Sequence, residues 1–189
     1  MKYDVILAGV GGQGVLSVAA IIASAAVEEG LEVRQSEVHG MAQRGGAVLA
    51  HLRLSDKVIA GDLVPRGGAD LILSMEPLES LRYTTWLSPN GALVSAAEPL
   101  VNITNYPDLE NIISIIKTFP CHRLVEAAAL AKEAGLSRAV NMVMVGAASA
   151  FLPLETKTLE KTIEKMFAHK DAATVQANTK AFELGKTQQ

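Results

Sequence analysis

The stretch GVGGQG at positions 9–14 constrains this chain more than any other feature. It sits between a short apolar run at residues 3–8 and a segment with helical spacing of apolar side chains at residues 13–29. A G-x-G-x-x-G pattern has physical content only where a strand turns into a helix. There the glycines permit a tight turn and close backbone approach to a phosphate, and the helix N-terminus behind them offers unpaired N–H groups and partial positive charge. Two readings stay open at this point: a nucleotide-like anion resting on the loop, or glycines that only let strand and helix pack. Gly30 then stops the helix as a left-handed C-terminal residue, and residues 31–36 form a second strand. Such a βαβ crossover implies a parallel sheet covered by helices.

Further along, residues 47–54 alternate as a strand candidate, followed by a polar break at 55–57 and a short apolar segment at 58–59. Residues 70–74 form another strand, and Pro77 suits the first turn of a helix over 78–87. Pro89-Asn90-Gly91 is a turn signal with a strand at 92–95 beyond it. A helix over 108–117, a last strand at 122–125 and an alanine-rich helix over 126–134 follow. Segments 139–151, 159–169 and 172–184 complete the chain as helices, the last two amphipathic. The expected fold class is α/β: a three-layer α/β/α, Rossmann-like, mostly parallel sheet with a helical C-terminal segment. No repeat or linker divides it, so residues 1–189 read as a single domain. Ligands of such sheets bind beyond the carboxyl ends of the strands. Both glycine-rich loops follow strands and should converge on that edge.

Composition excludes several classes. Seventeen basic against 20 acidic residues give a net charge of −3, with no basic run to neutralise a nucleic-acid backbone. Cys121 is the single cysteine, which rules out an internal disulfide, a four-cysteine zinc site and a cysteine-ligated cluster held by this chain alone. No metal site is expected. The longest apolar windows, 15–27 and 139–152, are too short and alanine-rich to span a bilayer, and no secretory leader pattern precedes residue 3, so no membrane and a cytoplasmic location are expected.

The second glycine-rich loop, SEVHGMAQRGG at 36–46, is the more distinctive. A dinucleotide site wants an acid at the end of the second strand to grip ribose hydroxyls, and Glu37 could serve, with Arg34 nearby. A nicotinamide-binding oxidoreductase or sensor domain is therefore one competing class. An assembly protein whose glycines merely pack is another.

GVGGQG followed by SEVHGMAQRGGAVLAHLRLS at 36–55 resembles the gamma-type subunits of 2-oxoacid:ferredoxin oxidoreductases, and among them the indolepyruvate branch. NMVMVG at 141–146 and the ending with Ala177-Asn178, Ala181-Phe182 and Gly185 extend the resemblance over nearly the whole chain. It implies oxidative decarboxylation of an aryl pyruvate on thiamine diphosphate, electron transfer through iron–sulfur clusters to ferredoxin, and release of an acyl-CoA. Neither cluster cysteines nor a GDG…N thiamine segment is present. The resemblance thus implies a large alpha subunit that carries thiamine diphosphate and the clusters, and an isolated small subunit that is inactive. Gamma subunits for pyruvate, branched-chain 2-oxoacids or 2-oxoglutarate are the alternatives within the family.

The resemblance also suggests coenzyme A as the co-substrate, with its phosphates on the two loops. In the first loop the candidates are Gly9, Gly11, Gly12, Gln13 and Gly14. In the second they are Glu37, His39, Gly40, Gln43, Arg44, Gly45 and Gly46. Arg44 would pair with phosphate as a charged fork and Gln43 would add a neutral donor, while an ordinary surface cation or an intersubunit ion pair stays open for Arg44. No residue is assigned a catalytic role. His39 has a pKa class that permits proton transfer, but it serves equally as a loop hydrogen bonder. Asn141 either caps its helix or points to the shared site, and Gly146 allows close helix packing. Met41 reads as an interface packing residue and Cys121 as a small apolar one.

Overall fold

The structure is a computed structural model that describes residues 1–188 apart from 40–44, and only the backbone of His39. Its strands are β1 (Lys2–Val10), β2 (Glu32–His39), β3 (Ala47–Ser55), β4 (Ala69–Ser74), β5 (Leu87–Ala96) and β6 (His122–Val125). The helices are α1 (Val15–Glu28), α2 (Pro77–Arg82), α3 (Leu109–Ile116), α4 (Ala127–Glu133), α5 (Val140–Ser149), α6 (Thr156–Phe167) and α7 (Ala172–Lys186). The strands form one sheet in the order β2-β3-β1-β4-β5-β6. All run in one direction except β3, which is antiparallel to both its neighbours.

Strand alternation divides the core in two. In β1, Val5 and Leu7 point to the face covered by α1 and α4 to α7, where they meet Ile22, Val143, Leu159 and Phe182. Ile6 points to the opposite face and joins Ile72, Leu93, Ile112 and Ile116 under α2 and α3. The expected three layers and mostly parallel sheet are present.

β1 and β2, joined through α1, run parallel as the βαβ reading implies, but they are not neighbours. β3 lies between β1 and β2, pairing with β1 from Lys2↔Ser55 to Val10↔Ala47 and with β2 from Glu32↔Ser55 to His39↔Val48. A short connection can only join antiparallel neighbours, so the chain leaving β2 turns straight back. Val48, Ala50, Leu52 and Leu54 are all buried in the first core, which suits a strand placed inside the sheet.

Other elements differ in detail. Gly30 adopts φ 80° and ends α1 as expected, with the Gly30 and Leu31 N–H groups donating to Val27 and Ala26 carbonyls, each at 3.0 Å. The helix expected over 78–87 stops at Arg82 and gives way to a 3-10 turn, Thr84–Trp86. The Thr84 hydroxyl donates to the Leu81 carbonyl at 3.0 Å, a local bond that competes with helix continuation. The turn expected at Pro89-Asn90-Gly91 falls inside β5. There the register passes from Ala69↔Leu87 to Leu71↔Ala92, five steps along β5 against two along β4. The turn residues thus produce a bulge rather than a strand boundary. Finally, α5 crosses α7 at two glycines. A Cβ on Gly146 would strike the Phe182 carbonyl oxygen, and one on Gly185 the Val143 carbonyl oxygen.

Candidate functional site

β1, β4 and β5 end at one edge of the sheet, and their connections part there. The chain leaving β1 enters α1 on one face, while the chain leaving β4 enters α2 on the other. This is the point at which open α/β sheets bind ligands. It holds a cleft of about 490 Å³, lined by Gly12, Gln13, Gly14, Met75, Ala96, Glu98, Pro99, Leu100, Ala128, Arg138, Val140 and Asn141.

Glycines shape the inner wall. Gly12 and Gly14 adopt φ 102° and 77°, left-handed values that strain any side chain. Gly14 is the N-cap of α1 and supplies no side-chain cap, so the first N–H groups of the helix have no side-chain acceptor. Gly9 lies beneath, where a Cβ would meet Val15 Cγ2 at 2.7 Å and Met75 Cβ at 3.1 Å. Gln13 clamps the loop: its Oε1 accepts the Val10 N–H at 2.7 Å and its Nε2 donates to the Met75 carbonyl at 3.0 Å.

Asn141 does not cap its helix, because the N-cap of α5 is Ala139 and carries no side-chain bond. Asn141 Nδ2 instead donates to the Gly14 carbonyl at 3.3 Å, which puts the residue on the cleft wall. The second glycine-rich loop meets the first through its backbone. Gly11 N–H donates to the Gly46 carbonyl at 2.7 Å, and Gly45 N–H donates to the Gly11 carbonyl at 3.2 Å. Gly40, Met41, Gln43, Arg44 and the His39 side chain lie outside the described residues.

Glu37 stands apart. It is exposed on β2 opposite Ala50, which in turn pairs with Leu7, so β3 separates it from β1, and it is not among the cleft-lining residues. The adjacency through which an acid reaches the ribose in a dinucleotide fold is therefore missing.

Sequence reasoning missed the outer wall. Glu98 follows β5, and its carboxylate accepts the Ala127 and Ala128 N–H groups at 3.1 and 2.7 Å, so its charge is engaged by the start of α4. Arg138 precedes α5 and is the one cation among the described lining residues. Both positions could have been found from one rule, since each lies beside the carboxyl edge of a predicted strand or the start of a predicted helix. An uncapped helix start and an exposed guanidinium make the cleft suited to an anion. Among the described residues no group of metal-ligating side chains occurs, and no helix is long and apolar enough to cross a membrane.

The family model described as pyruvate ferredoxin/flavodoxin oxidoreductase matches residues 4–188. Indolepyruvate oxidoreductase subunit IorB of Pyrococcus horikoshii is 38% identical to the chain, covering 97% of it and 94% of that relative. Among solved structures, pyruvate oxidoreductase subunit PORC of Thermotoga maritima superposes with a TM-score of 0.73 at 24% identity, over 99% of this chain and 96% of that one. The 2-oxoglutarate:ferredoxin oxidoreductase of Magnetococcus marinus, with 2-oxoglutarate, coenzyme A and succinyl-CoA bound, gives 0.76 at 23% identity over 98% of this chain. The chain spans only 30% of that protein's length.

Proposed function

The chain belongs to the pyruvate ferredoxin/flavodoxin oxidoreductase family, and from that premise we infer that it is the small subunit of an indolepyruvate:ferredoxin oxidoreductase. The observation that carries this reading is the 38% identity to the Pyrococcus horikoshii subunit, spread over 97% of the chain rather than confined to the glycine loops. Residues 1–189 form one gamma-type catalytic domain that works in the cytoplasm. A large alpha subunit completes the enzyme and passes electrons to ferredoxin.

Cys121 is a lone thiol, which does not fit an iron–sulfur cluster, and the sequence holds no thiamine diphosphate segment. Both groups are assigned to the partner, and the small subunit alone is inactive. Coenzyme A does fit. The cleft offers an uncapped helix start, the Arg138 guanidinium and glycines that leave room for a phosphate. In this reading Arg138 and the α1 N-terminus hold the diphosphate. Gln13 and Asn141 keep the Gly12–Gly14 turn in place beneath it. Arg44 and Gln43 extend the set from the second loop.

The test is steady-state kinetics of the co-expressed complex under anaerobic conditions. Indolepyruvate should be preferred over pyruvate and 2-oxoglutarate, and the purified small subunit should reduce no acceptor. Arg138→Ala and Arg44→Ala should each raise KM for coenzyme A about tenfold to a hundredfold, the loss of one charge-assisted contact, with KM for the 2-oxoacid spared. Gly12→Val should do more harm, since φ 102° strains a β-branched residue. Arginine variants that leave the coenzyme A dependence unchanged and weaken subunit association would make these loops interface elements instead.

A further inference from the structure

Behind the cleft wall sits a carboxylate that the reading above leaves unused. Glu76 follows Met75 at the end of β4 and is 1% exposed. Its Oε2 accepts the Glu79 N–H at 2.8 Å and so caps α2. Its Oε1 faces the other way. It accepts the Tyr106 hydroxyl and, at 3.4 Å, the Leu100 N–H. Capping a short helix needs only one oxygen of a small polar residue, so it does not account for the second set of partners. Burying a carboxylate is costly unless each acceptor is used, and here both oxygens are.

The two Oε1 partners belong to one segment. Residues 97–107 leave β5 without forming helix or strand, and they contribute Glu98, Pro99 and Leu100 to the cleft wall. Beyond Ala97, whose N–H donates to the Val125 carbonyl at 2.8 Å, no ladder holds this strap and it depends on individual bonds. Glu98 ties it to the start of α4, and the Asn102 amide donates to the Gly45 carbonyl of the second glycine loop at 2.8 Å. Glu76 ties it to the sheet at Leu100 and Tyr106. Burial, together with the adjacent carboxylate, pushes the Tyr106 hydroxyl pKa up, so it remains a donor.

We propose that Glu76 is a positioning residue for the co-substrate, a carboxylate that fastens the strap as the outer wall of the cleft without itself touching the ligand. The inference rests on the cleft being the coenzyme A site. Strap position then sets coenzyme A affinity, while the chemistry on the partner subunit proceeds at its usual rate.

Tyr106→Phe is the mild test, since it keeps the ring and removes only the hydroxyl; Glu76→Gln is the second variant, because its amide can satisfy one side of the original arrangement but not both. In the complex, each should raise KM for coenzyme A roughly threefold to tenfold and leave kcat and KM for the 2-oxoacid unchanged. Hydrogen exchange of the full chain should speed up at the amides of residues 98–106 and not in α1 or α5, and saturating coenzyme A should restore protection in the complex. A lowered melting temperature with unchanged KM for coenzyme A would reduce Glu76 to a helix cap and overturn the proposal, as would unaltered exchange in the strap. If Arg138→Ala raises KM and Tyr106→Phe does not, the strap proposal alone has failed. If neither raises it, the assignment of the cleft has failed with it.

Discussion

On the face covered by α1 and α4 to α7, the buried side chains sent out by the sheet are aliphatic, from Val5 and Leu7 to Val94 and Val125. The face under α2 and α3 has its own apolar cluster, but around it are buried Asp4, His51, Glu76 and Glu79. The first face is held mainly by volume and close backbone approach, as at Gly146 and Gly185, with the Tyr3 hydroxyl and the Arg123 guanidinium donating to the Phe151 and Ala147 carbonyls. The second is held by directed bonds that fix loops. Arg53 spans from Asp4, at 2.9 Å from Nε, to the Gly61 and Leu63 carbonyls at 2.8 and 3.2 Å. His51 Nδ1 accepts the Val64 N–H at 3.2 Å. The division has a physical basis, because packing is insensitive to direction and hydrogen bonds are not, so the second face fixes where its loops lie.

The largest effect should come from the packed face. Gly146→Val drives side-chain atoms into the α7 backbone and should lower unfolding free energy by about 3–5 kcal/mol, read as a fall in urea midpoint. A loss below about 1 kcal/mol would mean that the α5–α7 crossing can open without penalty, and the contrast between the faces would dissolve. Next comes Arg53→Met, which leaves the fully buried Asp4 with Lys2, at 2.8 Å, as its remaining cation. The expected cost is about 2 kcal/mol, with faster exchange at the backbone of residues 58–64. Adding Asp4→Asn should recover part of that loss, and strictly additive costs would deny the coupling.

The smallest effect is the pH dependence contributed by His51 on the bonded face. Burial, then the neighbouring Arg53, lowers the His51 pKa, and its Nδ1 accepts a bond only when unprotonated. The unfolded chain therefore binds the proton more readily. His51's contribution is complete above its unfolded pKa, about 6.5, and is lost as pH falls from there through the lower folded value. His51→Asn keeps an acceptor without titrating, so its stability should decline less between about pH 7 and 5 than that of the parent. Identical pH profiles would remove His51 from this account. Glu79 acts in the opposite sense: burial raises its pKa, so its contribution weakens as pH rises above the ordinary glutamate range.

Local signals carried much of the fold. The strand at 122–125 coincides with β6, Gly30 ends α1, and Asp108 opens α3 by accepting the Asn111 N–H at 3.1 Å. What escaped was long-range choice. Nothing within residues 47–54 states that they pair with β1 as well as β2, since partner selection depends on strands elsewhere in the chain. Because β3 intervenes, Glu37 on β2 sits one strand away from β1 rather than beside it. The site was half legible for a similar reason. Gly12, Gln13 and Gly14 share one motif, and Asn141 was singled out, whereas Met75, Glu98 and Arg138 come from separate loops that carry no pattern of their own. Glu76 resembled any charged residue before a proline until its burial was visible.

The central place of β1 and the buried Phe182 of α7 set a timetable for synthesis. A ribosome delivers β1 first, but its flanking strands end at Ser55 and Ser74, and the helix bearing Phe182 comes close to the end of the chain. At about 5–20 residues per second, α7 follows β1 by roughly 10–35 s, during which the aliphatic face of the sheet waits without its full cover. A nascent chain in that state is a natural client for a holding chaperone. A truncation that stops short of Phe182 would leave it there permanently.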